Sequence, residues 1–202
     1  MKKKTLVLIL SLVLIMGIIV GGTIAWLKDS TQDVVNTFTV GDIDIELKEH
    51  PLEDDPYDGK TIDTSANPVM KVDNYKMIPG RTLQKDPFVT VKANSEACWL
   101  FVKIVESSNF GTYMTYEIAD GWTALGTDYP GVYYRTVAAT TADSDPIYVL
   151  KNNQVVVKSD VTKAQLEAAA QTNPTLTFTA YAVQQEGVAD ATTAWGYATA
   201  TN

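Results

Sequence analysis

The 202-residue chain sets 16 lysines and arginines against 24 aspartates and glutamates, a formal net charge of −8, and has one histidine and one cysteine. That balance argues against a nucleic-acid binder, which needs a basic face to neutralise phosphates. One cysteine excludes an internal disulfide framework, and one histidine beside it excludes a Cys/His zinc cage, a zincin motif and any site needing several histidines.

In chain order, the first element is an address. Met1-Lys2-Lys3-Lys4 is a cationic start, Thr5 to Val20 is an uncharged apolar run, and Gly21-Gly22-Thr23-Ile24-Ala25 supplies small residues. This is the layout of a secretory signal. Cleavage after Ala25 places Thr23 at −3 and leaves Trp26 as the new N-terminus. The competing reading is an uncleaved anchor, since the apolar stretch to Leu27 just reaches the roughly 20 residues that a spanning helix needs. Removing residues 1–25 takes away three lysines and no acids, so the exported part is expected to carry −11.

Residues 26–202 read as one β-rich unit, with a leading segment, 26–41, set apart from a domain over 42–202. In 37–48 (TFTVGDIDIELK), Ile43, Ile45 and Leu47 alternate with Asp42, Asp44 and Glu46, while Phe38 and Val40 sit on the opposite parity. One straight strand cannot keep both sets on one face, so a bulge or corner at Gly41-Asp42 is expected. Residues 49–69 look like a long exposed insertion. The run 87–93 turns Val89, Val91 and Ala93 inward. The run 98–106 (CWLFVKIVE) is largely apolar on both faces, Cys98, Leu100, Val102 and Ile104 against Trp99, Phe101, Lys103 and Val105, as a central strand is.

Residues 131–137 and 153–157 are further strands, with a second exposed insertion, 138–146, between them. A capped, Ala-rich run at 163–171 predicts one short helix, with Asp160 or Thr162 as N-cap and Asn173-Pro174 as its end. In 175–185, Leu176, Phe178, Ala180 and Ala182 share a face. Residues 190–198 form a short second helix or a loop. Closely spaced turn signals such as Pro79-Gly80, Asp120-Gly121 and Pro130-Gly131 suit an all-β, jelly-roll-like β-sandwich better than βαβ units.

Candidate chemistry is thin. His50 reads as a surface-loop histidine. The acidic stretch 53–58 has carboxylates that could reach a calcium ion, yet it lacks EF-hand spacing and reads more simply as a solvated loop. Asp42, Asp44 and Glu46, and likewise Asp143 and Asp145, read as wet faces. Cys98, on the apolar parity of a strong strand, is expected to be a buried reduced thiol. Trp99, Trp122, Trp195 and the tyrosines serve β-propensity and core filling more cheaply than a sugar platform. No glycine-rich phosphate loop and no Gly-x-Ser-x-Gly motif occurs. No catalytic, cofactor or metal residue is assigned.

Two blocks carry a family resemblance. Gly21-Gly22-Thr23-Ile24-Ala25-Trp26-Leu27-Lys28-Asp29, followed by Asn36-Thr37-Phe38-Thr39-Val40-Gly41-Asp42-Ile43-Asp44-Ile45, resembles the TasA/camelysin family of exported bacterial proteins processed by a SipW-type signal peptidase. The block from Ile78-Pro79-Gly80 through Lys85-Asp86-Pro87 to Asn94-Ser95 is similar to the family's second strand. The strand at 178–184 is similar to the closing strand of BsaA-like members. Residues 49–69 and 107–174 have no counterpart in the family pattern.

The resemblance implies a secreted or cell-surface subunit of extracellular biofilm-matrix fibres, not an enzyme. Such subunits polymerise head-to-tail by donating an N-terminal strand to the next copy. The donor implied here is 26–40, with Trp26, Val34, Phe38 and Val40 as anchors and Gly41 as its boundary. The implied partners are other copies of the chain, the signal peptidase, and other matrix or cell-surface components, with no nucleic acid. Two other functions compete. One is a monomeric secreted adhesin or binding module. The other is a camelysin-like surface metalloprotease, for which the sequence offers only carboxylates as ligands.

Overall fold

The computed structural model describes residues 42–55, 59–68 and 75–200. Every strand pairing among them is antiparallel. The strands are β1 (Ile45–Lys48), β2 (Leu52–Asp55), β3 (Gly59–Ile62), β4 (Thr82–Gln84), β5 (Phe88–Val91), β6 (Cys98–Glu106), β7 (Met114–Thr115), β8 (Thr123–Ala124), β9 (Val132–Val137), β10 (Ile147–Tyr148), β11 (Gln154–Val157) and β12 (Leu176–Gln184). Helices α1 (Phe110–Tyr113), α2 (Lys163–Thr172) and α3 (Ala191–Thr199) accompany them. The all-β expectation holds, with more helix than foreseen, since 190–198 is helical and a single turn forms at α1.

One sheet has the order β12-β6-β9-β8. Two ladders, β1-β5-β10 and β4-β11-β7, run on into each other. The links are Val149 N–H to Pro87 C=O at 2.9 Å and Lys85 N–H to Asn153 C=O at 2.8 Å. Their strands pack against the first sheet through one core. Val89 and Val91 of β5 meet Cys98, Leu100, Val102 and Ile104 of β6, with Ile43, Ile45 and Leu47 and the small-residue face of β12 packed around them. The parity expected for 43–47, 98–104 and 176–182 is thus the parity observed, and in 87–93 it holds for Val89 and Val91; Ala93, expected inward, is exposed, because β5 ends at Val91 and the chain turns away from the core there. Asp42 and Asp44 are exposed, and Glu46 pairs with Lys48 at 2.7 Å. Gly41, where a bulge is expected, lies outside the described residues.

β6 is buried on both sides for a physical reason. Its second face carries Phe101, which is fully buried against Trp195 of α3 (5.3 Å between rings), while Tyr181 of β12 meets Trp195 edge-on at 5.1 Å. Helix α3 therefore closes the outer side of the first sheet, capped by Asp190, whose carboxylate accepts from Thr193 N–H at 2.8 Å. Helix α2 uses Thr162 in a reciprocal cap with Gln165, and Asn173 ends it in a left-handed conformation. Of the two expected caps, Thr162 is the one that acts.

One glycine is fixed by contact as well as by conformation. Gly131, at φ +75°, brings its backbone so close to β6 that a Cβ would sit 2.3 Å from the Ile104 carbonyl oxygen. Its own C=O accepts from Ile104 N–H at 2.8 Å. A side chain there would break the β6–β9 pairing at its end.

The insertion at 49–69 is not simply an exposed loop. Glu49 continues the β1 edge with only 8% of its surface exposed, and 52–62 folds back as the β2–β3 hairpin. Part of the expected acidic loop is strand β2, and 56–58 lie outside the described residues. The 138–146 insertion is an irregular, largely exposed segment, tied down by a Lys92–Asp143 ion pair and by Ala93 N–H donating to Asp143 at 2.9 Å. Those two donors hold the Asp143 carboxyl below its ordinary range.

Candidate functional site

The cleavage residues Thr23, Ala25 and Trp26, and the donor segment with Val34, Phe38, Val40 and Gly41, lie outside the described residues. Three features within the described residues have the chemistry or the shape to matter.

The first is a buried polar quartet where β1 runs out beside the turn between β4 and β5. Lys85 Nζ donates to Glu49 Oε2 at 2.8 Å, with side-chain exposures of 13% and 10%. The Lys85 ammonium also lies 5.5 Å from the Tyr75 ring centre and 5.6 Å from that of Phe178. Next to it, His50 Nδ1 and Asp86 Oδ2 are 2.6 Å apart, and His50 N–H donates to Asp86 Oδ1 at 3.1 Å. The His50 ring packs against Phe88 at 5.3 Å. His50 is therefore not the surface-loop histidine expected from its polar neighbours. Chain pairing brings 49–50 beside 85–86, which local sequence does not reveal.

The quartet does not fit a metal centre. His50 and Asp86 are spent on each other and Glu49 on Lys85. Among the described residues no group of three or more His, Cys, Asp or Glu side chains is placed to hold a metal ion. The arrangement can do a different job: it gives each of two carboxylates inside the fold a close hydrogen-bonding partner, which buried polar groups require.

The second feature is Cys98. It is a free thiol with no exposed surface, and burial pushes its ionisation up to about 11. That suits an inert core residue.

The third feature is an open edge. From Tyr113 to Ala119 the chain pairs on one side only. Tyr113 C=O accepts from Lys158 N–H, Glu117 C=O accepts from Lys151 N–H, and Ala119 N–H donates to Val149 C=O, each at 2.9 Å. Thr115 pairs with Val156, and Ile118 lies opposite Leu150. The backbone groups of Tyr116 and Ile118 face the other way, and among the described residues they make no backbone hydrogen bond. Beside this edge lies a cleft of about 350 Å³, lined by Phe110, Met114, Tyr116, Ile118 and Tyr133, with Glu106 and Lys158 among its polar residues. Tyr116 Oη donates to Glu106 at 2.8 Å, and burial together with that carboxylate drives the phenol well above its ordinary range. Lys158 Nζ donates to the Gly111 carbonyl.

Sequence reasoning missed this edge, although the signal was there. Met114, Tyr116 and Ile118 alternate with Thr115 and Glu117, the period of a half-buried strand. The run is only five residues long, too short for alternation alone to distinguish a strand from a loop.

No helix among the described residues is long and apolar enough to cross a membrane. Neither the curated proteins nor the solved structures include a match to this chain. The family model described as Camelysin metallo-endopeptidase matches residues 1–94, a span that holds both blocks of the resemblance and the strands β1 to β5. Over residues 1–94, a little under half of its length, the chain is therefore similar to the camelysin family.

Proposed function

We propose that the protein is a secreted structural subunit of extracellular matrix fibres, cleaved after Ala25 and assembled head-to-tail by donation of its N-terminal segment. The observation that supports this most is the extent of the family match. It begins at the signal, runs through the 26–41 segment and continues into the first paired strands, so it spans an export signal, a candidate donor and the sheet that follows. An antiparallel sandwich with unpaired edge groups accepts an added strand readily, because main-chain hydrogen bonds and alternate side-chain pockets supply the contact. A donor at one end and an acceptor elsewhere on the surface form a heterologous contact that does not close, which gives a filament.

Electron microscopy tests this on the mature chain beginning at Trp26 and on the same chain lacking 26–40. The full mature form is expected to give fibres and the truncated form to remain monomeric. Equal assembly by both removes strand donation from the account.

The family's description favours one other reading, a cell-surface metallo-endopeptidase. Peptide hydrolysis that co-purifies with the chain through successive columns and stops with a chelator would establish it.

A further inference from the structure

We propose that the cleft beside 114–118 is a binding site for a neutral saccharide. This goes beyond the fibre reading and does not depend on it.

The lining selects the ligand. Glu106, Tyr116 and Lys158 bring a carboxylate, a phenol and an ammonium to a space of about 350 Å³, and Phe110, Tyr116 and Tyr133 bring rings to the same space. Small-ligand sites run from about 300 to 1,000 Å³. The polar groups keep capacity for a ligand. Glu106 Oε1 accepts from Tyr116 Oη at 2.8 Å, and a carboxylate has about four acceptor positions. Lys158 Nζ donates to the Gly111 carbonyl, and an ammonium has further N–H donors to give. The backbones of Tyr116 and Ile118, at the same cleft, add N–H and C=O groups without backbone partners among the described residues. Mixed donors and acceptors beside ring faces are what a sugar requires. Each of its hydroxyls both donates and accepts, while the C–H face of its ring packs on aromatic carbon.

Other occupants fit less well. An added peptide strand draws its specificity from pockets for alternate side chains, and this lining is more polar than apolar. One carboxylate and one ammonium favour neither sign of charge, and an anionic polymer meets a chain of net charge −8. Glu106 is the one carboxylate among the described lining residues, whereas sugar hydrolysis ordinarily uses a pair, so the site binds rather than cleaves.

The mature chain beginning at Trp26 is titrated with maltohexaose, cellohexaose and chitohexaose, and separately with an oligogalacturonate and a threonine–valine peptide, by saturation-transfer NMR read on the ligand. Hydrogen exchange with mass detection then follows residues 113–119 with and without the sugar that binds. Three results are expected: saturable transfer to at least one neutral sugar, slower exchange at 113–119, and weaker binding in Lys158→Met and in Glu106→Gln. The loss in each variant is about tenfold, that of one hydrogen bond to a charged group. Urea unfolding checks that each variant is folded, and exchange in the unsubstituted chain decides the case if neither is. No saturable transfer to any neutral sugar overturns the proposal. Binding that leaves exchange at 113–119 unchanged, or that survives both substitutions in folded protein, places the sugar elsewhere and overturns it too. Tighter binding of the oligogalacturonate or of the peptide, lost with the same substitutions, keeps the site and overturns the ligand class.

Discussion

The two sides of the sandwich solve the strand-edge problem differently. On one side, β1 and β12 draw together, and the chain beyond β1 is pinned by Lys85–Glu49 and His50–Asp86. On the other, the backbone groups of Tyr116 and Ile118 make no backbone hydrogen bond among the described residues, and the cleft beside them carries a phenol–carboxylate hydrogen bond and a lysine–carbonyl contact. Buried charge is costly unless paired, so the first side is built for permanence. Unpaired edge groups are left to water or to an added strand, so the second side is the less firmly tied of the two.

The largest expected effect breaks the first side. Lys85→Met removes the lysine partner of the buried Glu49 carboxylate and is expected to cost about 2–3 kcal/mol in urea unfolding, the range of a hydrogen bond to a charged group. The double variant Lys85→Met/Glu49→Leu, which removes both charges, is expected to recover most of that loss. A single-variant cost below about 1 kcal/mol, the range of an exposed pair, would erase the contrast between the sides. On the second side, Tyr116→Phe removes the hydrogen bond to Glu106 and keeps the ring in the cleft. It is expected to cost about 1 kcal/mol or less in urea unfolding. A cost equal to that of Lys85→Met would make the open edge part of the stability frame.

The most gradual effect concerns the core that both sides share. An unfolded thiol ionises near 9, whereas the folded Cys98 holds its proton to about 11. Between those values the unfolded chain has released a proton that the folded chain keeps, so stability falls as pH rises through 9 and levels off above 11. The Cys98→Ala variant should lack that extra slope when urea midpoints are compared across the range. Identical slopes would mean that the thiol ionises in the fold as freely as outside it.

Much of the fold is legible without coordinates, because alternation along a strand records which face is wet. The inward sets at 43–47, 89–91, 98–104 and 176–182 follow from parity, and the two apolar faces of 98–106 announce a strand covered on both sides. The helix at 163–172 follows from its cap and composition. The resemblance to the camelysin family is likewise carried by local blocks. What local sequence does not record is which distant segments meet. His50 and Glu49 look like loop residues until 85–86 pairs beside them, and Met114, Tyr116 and Ile118 look incidental until 149–157 pairs along one side of them and leaves the other side open. The sequence by itself determined the longer strands, their faces and the family resemblance within 1–94, since these depend on neighbours a few residues away. Only the tertiary structure decided where charge is buried and which edge is left unpaired, since both depend on long-range pairing that a one-dimensional pattern does not encode.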